Sequence, residues 1–436
     1  MEKKGRVLSG MRPTGRLHIG HYFGALQNWM RMQQEYDCFF FVADWHALTT
    51  DYADASAVAQ NTIEIATDWL AAGLDPSKCT LFVQSLVPEH AELHLLLSMV
   101  TPLGWLERVP TYKEQLENIK DKDLHTYGFL GYPVLQSADI VMYGEPDRSL
   151  YVPVGEDQVP HVELTREIVS SFNFQFGGLL MRDEIRRTEN REALQALLRF
   201  TIQNGIDKPD PITGKRPFGD LAPIGEWISV FLRYAKSIGK ENFLGQLGGL
   251  KKWFNWENVL REPEVMLTET PRIPGTDGRK MSKSYGNYIS LSEDDESIRA
   301  KTKVMMTDPA RKRRTDKGNP DVCPVFSWHK LFSTPETIAW ADQGCRTAGI
   351  GCIECKGAMA DHLIKWIEPI RAQREEYESK PQRVVDILDD GSKKARKTAQ
   401  ETMGRVREAV FGWNKTRAGI APTPAGKDVK AARQKI

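Results

Sequence analysis

Between Asp37 and Asp44 the chain runs Cys38-Phe39-Phe40-Phe41-Val42-Ala43 without one polar side chain. A strand with one face in water alternates apolar and polar residues. An unbroken run this short therefore belongs to a strand covered on both faces, the condition of a parallel sheet. The flanking stretches supply the cover. A helix is predicted from about Gly20 towards Glu35, with Phe23, Leu26 and Met30 on one face, and another over Ser56 to Ala72. Arg6 to Leu8 begins a strand that the Gly- and Pro-rich turn Ser9 to Gly15 ends, and Leu81 to Gln84 and Leu150 to Val154 read as further strands. Helical patterns cover Phe129 to Tyr143 and Val159 to Ser171. This alternation is that of an α/β unit built on a parallel sheet.

The character then changes. Helical patterns over Asp183 to Asn204 and Glu226 to Ser237 flank the Pro-, Gly- and Lys-rich loop Asp207 to Gly219. A second loop, Thr268 to Ser284, leads into a mostly helical end with helical periodicity over Lys356 to Tyr377 and Gly391 to Phe411. The expected organisation is a Rossmann-like first part (1–173), a largely helical insertion (174–262), a return to the first domain (263–300), a helical domain (301–412) and a basic mobile tail (413–436). Charge follows the same division. The net charge of the 436 residues is only +1, yet Gly391 to Ile436 holds 12 Lys and Arg against 3 Asp and Glu. That end carries +9 and the preceding 390 residues −8, so near-neutrality does not exclude a polyanionic partner. With 41% hydrophobic and 27% charged residues, disorder, collagen and a membrane bundle are excluded. No apolar run is long enough for a signal peptide or a spanning helix, and six cysteines are too few for a disulfide scaffold. A cytoplasmic location is expected.

Two signals carry chemistry. His18-Ile19-Gly20-His21 lies between a strand-ending turn and a helix start, where unpaired backbone N–H groups and the helix dipole favour phosphate. Gly20 permits close approach, and two imidazoles can donate to phosphoryl oxygens. Far away in sequence, Lys280-Met281-Ser282-Lys283-Ser284 follows Pro274, Gly275 and Gly278. Two lysines three apart, with hydroxyls between, form a cationic clamp for a leaving pyrophosphate.

The pair resembles the HIGH and KMSKS signatures of the class I aminoacyl-tRNA synthetases. The resemblance implies ATP-dependent activation of an amino acid on a Rossmann-like fold. The substrate carboxylate attacks the α-phosphate, pyrophosphate leaves, and the aminoacyl group passes to the tRNA 3′ end. His18 and His21 would hold the phosphates, and Lys280 and Lys283 would stabilise the transition state. The ATP site would take in Arg12, Gly20, His21, Gly155, Asp157, Lys280, Met281, Ser282 and Lys283.

For the amino acid, Tyr132, Gln136, Asp139 and Tyr143 form one stripe of the helix Phe129 to Tyr143, and Asp139 is its only charge. If buried, Asp139 needs an internal partner or a polar substrate side chain, and an indole N–H or a phenol O–H would serve equally. The wider text resembles the tryptophanyl branch, in Asp44-Trp45-His46-Ala47-Leu48-Thr49, Ser137-Ala138-Asp139-Ile140, Val152-Pro153-Val154-Gly155-Glu156-Asp157-Gln158 and His161-Val162-Glu163-Leu164-Thr165-Arg166. Where tyrosyl relatives place a Tyr on the first strand, this chain has Leu8. The resemblance implies that Asp139 reads the indole N–H of L-tryptophan, in a pocket formed with Leu8, His46, Tyr132, Gln136, Val154 and Gln158. It implies tRNA(Trp) as the partner, Mg²⁺ with ATP, and a homodimer. Gln136 stands where many bacterial tryptophanyl enzymes have Met, and Arg12 where many have Gln. A tyrosyl enzyme or a catalytically silent RNA-binding relative is the rival reading.

Four of the six cysteines, Cys323, Cys345, Cys352 and Cys355, fall in a C-x21-C-x6-C-x2-C pattern suited to one metal centre. Spacing alone does not choose between zinc and [4Fe–4S]. A subset of bacterial tryptophanyl enzymes carries a [4Fe–4S] cluster on nearly this spacing, and that resemblance favours iron–sulfur. Arg311-Lys312-Arg313-Arg314 before the cysteines, with Lys393, Lys394, Arg396, Lys397, Arg405 and Arg407 after them, suit phosphate contacts with an RNA stem.

Overall fold

The structure is a computed structural model that describes residues 3–118, 123–181, 191–206, 224–268 and 273–412. The predicted loop Asp207 to Gly219, the first part of the helix proposed from Asp183 and the tail from Trp413 lie outside these residues. Among the described residues the strands are β1 (Arg6–Met11), β2 (Asp37–Val42), β3 (Cys79–Val83), β4 (Leu150–Val154), β5 (Gly178–Met181), β6 (Phe254–Glu257) and β7 (Glu264–Leu267). The chain divides into two compact units, one of Met1–Ile168 with Glu262–Ala399 and one of Val169–Arg261 with Gln400–Ile436.

In the first unit the sheet order is β3-β2-β1-β4-β7, and every pair is parallel. The apolar run behaves as its composition requires: Cys38, Phe40 and Val42 on one face and Phe39 and Phe41 on the other are all buried. Strand order reverses at β1, whose neighbours are β2 on one side and β4 on the other. β1 pairs with β2 along all its residues, Arg6 to Met11, but with β4 only at Arg6↔Leu150 and Val7↔Tyr151. The carboxyl halves of β1 and β4 therefore part, leaving a crevice at the switch point where ligands bind in open α/β sheets.

Helix α1 starts at this crevice. Ile19–His21, Tyr22–Leu26 and Gln27–Glu35 follow without a break, the middle segment in π geometry. The helices α2 (Asp44–Asp51), α3 (Val58–Ala72), α4 (Glu89–Ser98), α5 (Tyr127–Met142) and α6 (Val159–Phe176) complete the alternation. Two long helices follow at the C-terminal end, α7 (Cys352–Glu378) and α8 (Pro381–Phe411). Both begin earlier than the expected Lys356 and Gly391, and α7 therefore includes Cys352 and Cys355. α7 lies along α3, and its Arg374, 1% exposed, is inserted between Glu64 and Asp68. No described helix is long and apolar enough to cross a membrane.

The second unit has a core of its own. Leu197 and Phe200 of the helix Arg191–Gln203 pack with Phe231 and Ala235 of Ile224–Ile238, Phe243 of Lys240–Leu247 and Phe254 of β6. β6 pairs antiparallel with β5, a two-stranded ladder that the sequence pattern did not reveal.

The edge strand β3 is covered by α8, whose Ser392 hydroxyl accepts from Val83 N at 3.2 Å and whose Ala395 is fully buried. A Cβ at Gly391 would collide with the Leu81 carbonyl. In an open helix Gly→Ala stabilises by about 1 kcal/mol. Here Gly391→Ala should reverse that sign and destabilise by roughly 1–3 kcal/mol through overpacking, read as a lowered urea midpoint at unchanged slope.

Candidate active site

The two signatures meet at the crevice. Leu17, Ile19 and the segment Ile289 to Leu291 are stitched by backbone bonds, Ile19 N to Ile289 O at 3.1 Å and Leu291 N to Leu17 O at 2.9 Å. The Met281 sulfur lies 3.4 Å from where a Cβ on Gly20 would stand, so a side chain at Gly20 would crowd the second signature. Lys283 Nζ donates to Thr14 O at 2.6 Å, in the turn that ends β1. Lys280 is exposed.

The imidazoles are stacked, with centroids 3.7 Å apart. His18 N donates to His21 Nδ1 at 3.3 Å, which leaves the His21 proton on Nε2 as a free donor. His18 Nδ1 is buried without a hydrogen-bond partner among the described residues. Burial, followed by the charge of Lys283, lowers the His18 pKa to about 4. Burial, then His18, then Lys283, lowers that of His21 to about 3. Both rings are thus neutral N–H donors at pH 7. Burial also lowers Lys283, against the opposing charge of Asp68.

Asn287, 2% exposed, organises the second signature and was not singled out from sequence. Its Oδ1 accepts from Ser282 N at 2.7 Å, and its Nδ2 donates to Asp277 Oδ1 at 2.7 Å and Lys280 O at 3.1 Å. The Tyr285-Gly286-Asn287 turn, with Gly286 at φ 62°, was the available signal.

Asp139 on α5 is 1% exposed and fully partnered. Gln84 Nε2, just past β3, donates to both its oxygens at 2.8 and 2.9 Å. His90 Nδ1 meets Oδ1 at 2.6 Å, and His46 Nε2 meets Oδ2 at 2.8 Å. Burial alone would raise this carboxyl; the hydrogen bonds and charges of His46 and His90 more than offset it and hold it at about 2. The internal partners are side chains, and sequence reasoning named only His46 among them.

Tyr132 shares Thr111 Oγ1 with His161 Nε2, at 2.8 and 2.7 Å. Val154 ends β4, and Gly155, Asp157 and Gln158 follow it at the crevice. Gln136 is half-buried on α5, and Leu8 is buried in β1. Arg12 turns towards α2, donating to Thr50 Oγ1 at 2.6 Å and Ala47 O at 3.3 Å, with Tyr132 near enough to bear on its charge.

Elsewhere in the same unit Cys323, Cys345, Cys352 and Cys355 line one cavity with Thr307, Asp308, Arg311 and Val325. Among the described residues no three His, Cys, Asp or Glu side chains are already gathered as ligands of a single ion. Burial, then the neighbouring thiols, raises Cys355 to about 12; burial also raises Cys345. The expectation that Arg311 faces RNA is corrected. It is 8% exposed and donates inward, to Ile350 O at 2.6 Å, Arg314 O at 3.1 Å and Cys345 Sγ at 3.8 Å. Lys312, Arg313 and Arg314 remain exposed.

A His-Ile-Gly-His helix start and a Lys-Met-Ser-Lys-Ser loop closing on one switch-point crevice is the arrangement of the class I aminoacyl-tRNA synthetases. The family model for class I tRNA synthetases of tryptophan and tyrosine (W and Y) matches residues 1–187 and 233–368. The chain is 50% identical over 411 residues to the tryptophan–tRNA ligase of Ralstonia nicotianae, covering 93% of this chain and 98% of that one. It is 41% identical over 407 residues to that of Thermotoga maritima, with the same coverage. The tryptophanyl-tRNA synthetase of Campylobacter jejuni, solved with ADP and tryptophan, superposes with a TM-score of 0.68 at 28% identity, over 93% of this chain and 99% of that one. The chain belongs to the tryptophan–tRNA ligases.

Two outcomes follow from this geometry. Asn287→Ala should loosen the second signature and lower kcat for pyrophosphate exchange by about 10–100-fold, with little change in KM for the amino acid. The imidazoles make a pH prediction. Because the folded chain holds His18 and His21 below the ordinary 6.5, the unfolded chain takes up protons first as pH falls. Their contribution is therefore present in full above about pH 6.5 and is lost progressively as pH falls, down to about pH 4 for His18 and about pH 3 for His21. Urea midpoints measured between pH 7 and pH 5 should fall for the wild type and fall less for His18→Gln.

Proposed function

We propose the following division of labour for activation of L-tryptophan by ATP and its transfer to the 3′ end of tRNA(Trp). The neutral His18 and His21 donate to the ATP phosphates at the start of α1, where the helix dipole adds to them. Lys283 leaves the Thr14 carbonyl for the pyrophosphate as it departs, and the exposed Lys280 joins it from the Lys280 to Ser284 loop. Arg12, Gly20, Gly155, Asp157, Met281 and Ser282 form the rest of the nucleotide site. Mg²⁺ enters with the ATP phosphates, which supply most of its oxygen ligands, and neutralises charge on the leaving group. What carries this reading is the backbone stitching of Leu17 and Ile19 to Ile289 and Leu291, which puts both signatures on one crevice.

Asp139 accepts the indole N–H. His46 is the network member most open to solvent, its side chain 13% exposed against 2% for Asp139 and 0% for His90. A substrate N–H reaches Oδ2 from the His46 side, with that ring turning away. Tyr132, Gln136, Val154, Gln158 and the buried Leu8 shape the remaining pocket. Pyrophosphate exchange should depend on Trp and not on Tyr or Phe. Exchange with Tyr alone would instead establish a tyrosyl enzyme.

Cys323, Cys345, Cys352 and Cys355 hold a [4Fe–4S] cluster. A single zinc ion, about 2.3 Å from each sulfur, needs four gathered thiolates, whereas a cubane takes its ligands at separated corners, as thiols spread around one cavity provide. Buried thiols that raise one another's pKa require a compensating positive charge to ionise, and iron supplies it. Arg311 donating to Cys345 gives the kind of N–H···S contact that tunes such clusters. Protein purified without oxygen should contain iron and absorb broadly in the visible; Cys352→Ser should lose both. Zinc at one per chain, with no iron, would replace the cluster by a structural zinc site.

Exposed Lys312, Arg313, Arg314, Lys393, Lys394 and Lys397 face the tRNA phosphates, and the enzyme works as a cytoplasmic homodimer.

A further inference from the structure

Asp139 belongs to a chain of hydrogen bonds in which every proton has a fixed direction. At one end the Trp45 backbone N–H donates to Gln84 Oε1 at 3.2 Å. A backbone N–H cannot accept, so the Gln84 amide is oriented with Nε2 towards Asp139. At the other end Tyr143, fully buried at the end of α5, has its hydroxyl 2.7 Å from His90 Nε2. Burial, then the charges of Asp139 and Glu89, raises this phenol well above its ordinary pKa, so it keeps its proton. The carboxylate can only accept, so His90 holds its proton on Nδ1, 2.6 Å from Asp139 Oδ1, and Nε2 of the neutral ring accepts from the Tyr143 hydroxyl. The Tyr143 ring is itself stacked on Phe39 of β2, centroids 4.8 Å apart, and edge-on to Phe82 of β3. The lock is thus built on the edge strand β3 and its neighbour β2.

We infer that His90, its tautomer held by Asp139 and Tyr143, is a positioning residue for substrate selection: it pins Oδ1 of Asp139 while Gln84 bridges both oxygens, so that Oδ2, on the His46 side, is the acceptor for the substrate N–H. The inference rests on the reading of Asp139 as the residue that meets the indole. It explains why the carboxylate tolerates burial without substrate and why it cannot turn to meet a side chain that carries its hydrogen elsewhere. Three of its four hydrogen bonds, those from Gln84 and His90, stay in place when His46 gives way.

Asn and Gln separate the two nitrogens of His90. In His90→Asn an amide N–H replaces the Nδ1 donor. In His90→Gln the amide reaches towards Tyr143 and Asp139 loses its partner. The experiment compares kcat/KM in pyrophosphate exchange for L-tryptophan and for the analogue whose indole is replaced by benzothiophene, which has no N–H. His90→Gln should raise KM for tryptophan about tenfold and lower the tryptophan-to-analogue ratio by a similar factor, with analogue kinetics little changed. His90→Asn should recover most of that ratio. Tyr143→Phe, which removes only one oxygen, should lower the ratio because the His90 proton is then free to move to Nε2.

Equal losses for tryptophan and the analogue in His90→Gln and Tyr143→Phe would show a merely structural role and overturn the inference. So would a ratio unchanged in both. Asp139→Asn distinguishes the underlying reading. If wild type does not discriminate between the two substrates, the assignment of Asp139 to the indole fails. If Asp139→Asn abolishes discrimination while the His90 and Tyr143 variants keep it, only the role of His90 fails.

Discussion

Leu17 is the residue on which the catalytic arrangement hangs. Its N–H donates to Asp68 Oδ2 at 2.5 Å, and its carbonyl accepts from Leu291 N and, at 3.2 Å, from the Ser290 hydroxyl. Those bonds fix the backbone immediately before His18 between α3 and the segment after the second signature, across 273 positions of sequence. Asp68 is fully buried, and an unpaired carboxylate there would cost several kcal/mol. Arg374 supplies the compensating charge and is shared with Glu64 and Glu378. Neither ion is tolerable in that place without the other, so the position of His18 depends on a helix that begins and ends far beyond it in the chain.

A second constraint is polarity. Around Asp139 the Trp45 N–H at one end of the hydrogen-bond chain can only donate, and the carboxylate in the middle can only accept. A substrate that brings an N–H replaces one donor with another. A substrate that brings no hydrogen there leaves a buried carboxylate oxygen short of a partner, a loss larger than a mismatched methylene in an apolar pocket imposes. On the proposed reading of Asp139, selection for tryptophan requires no second, editing site.

Much of this is legible in sequence because it is local. The apolar run of β2 dictated a covered parallel strand, and the glycine turn before His18 dictated a helix start at a strand end. Asp139 stood out as one charge on an apolar helix. What escaped was non-local. Sequence reasoning did not single out His90, and only the packing of α4 against α5 brings it to Asp139. Gln84 does sit at the carboxyl end of a predicted strand, a place where a polar residue carries meaning in this fold. Arg311 shows the opposite failure. In a run of four basic residues nothing distinguishes the one that turns inward, since what draws it are a carbonyl and a thiol tens of positions away. The π turn at Tyr22–Leu26 is equally silent in composition, yet it lies where Tyr22 and Phe23 meet Trp366 of α7, at centroid distances of 4.8 and 5.5 Å.

α7 joins these features into one piece. At 27 residues it spans about 40 Å. Its first turn carries Cys352 and Cys355, its middle carries Trp366 against α1, and its end carries Arg371 and Arg374. Arg371 donates to the Glu293 carbonyl at 2.8 Å, and the Glu293 carboxylate in turn accepts from Ser290 N at 3.0 Å, beside the bonds to Leu17. Burial raises Cys345, and burial with the neighbouring thiols raises Cys355 to about 12, so these two keep their protons near pH 7, with the Cys355 sulfur 3.3 Å from His329 Nε2. Whatever fixes the first turn of α7 fixes one end of a beam whose other end reaches the bonds around Leu17.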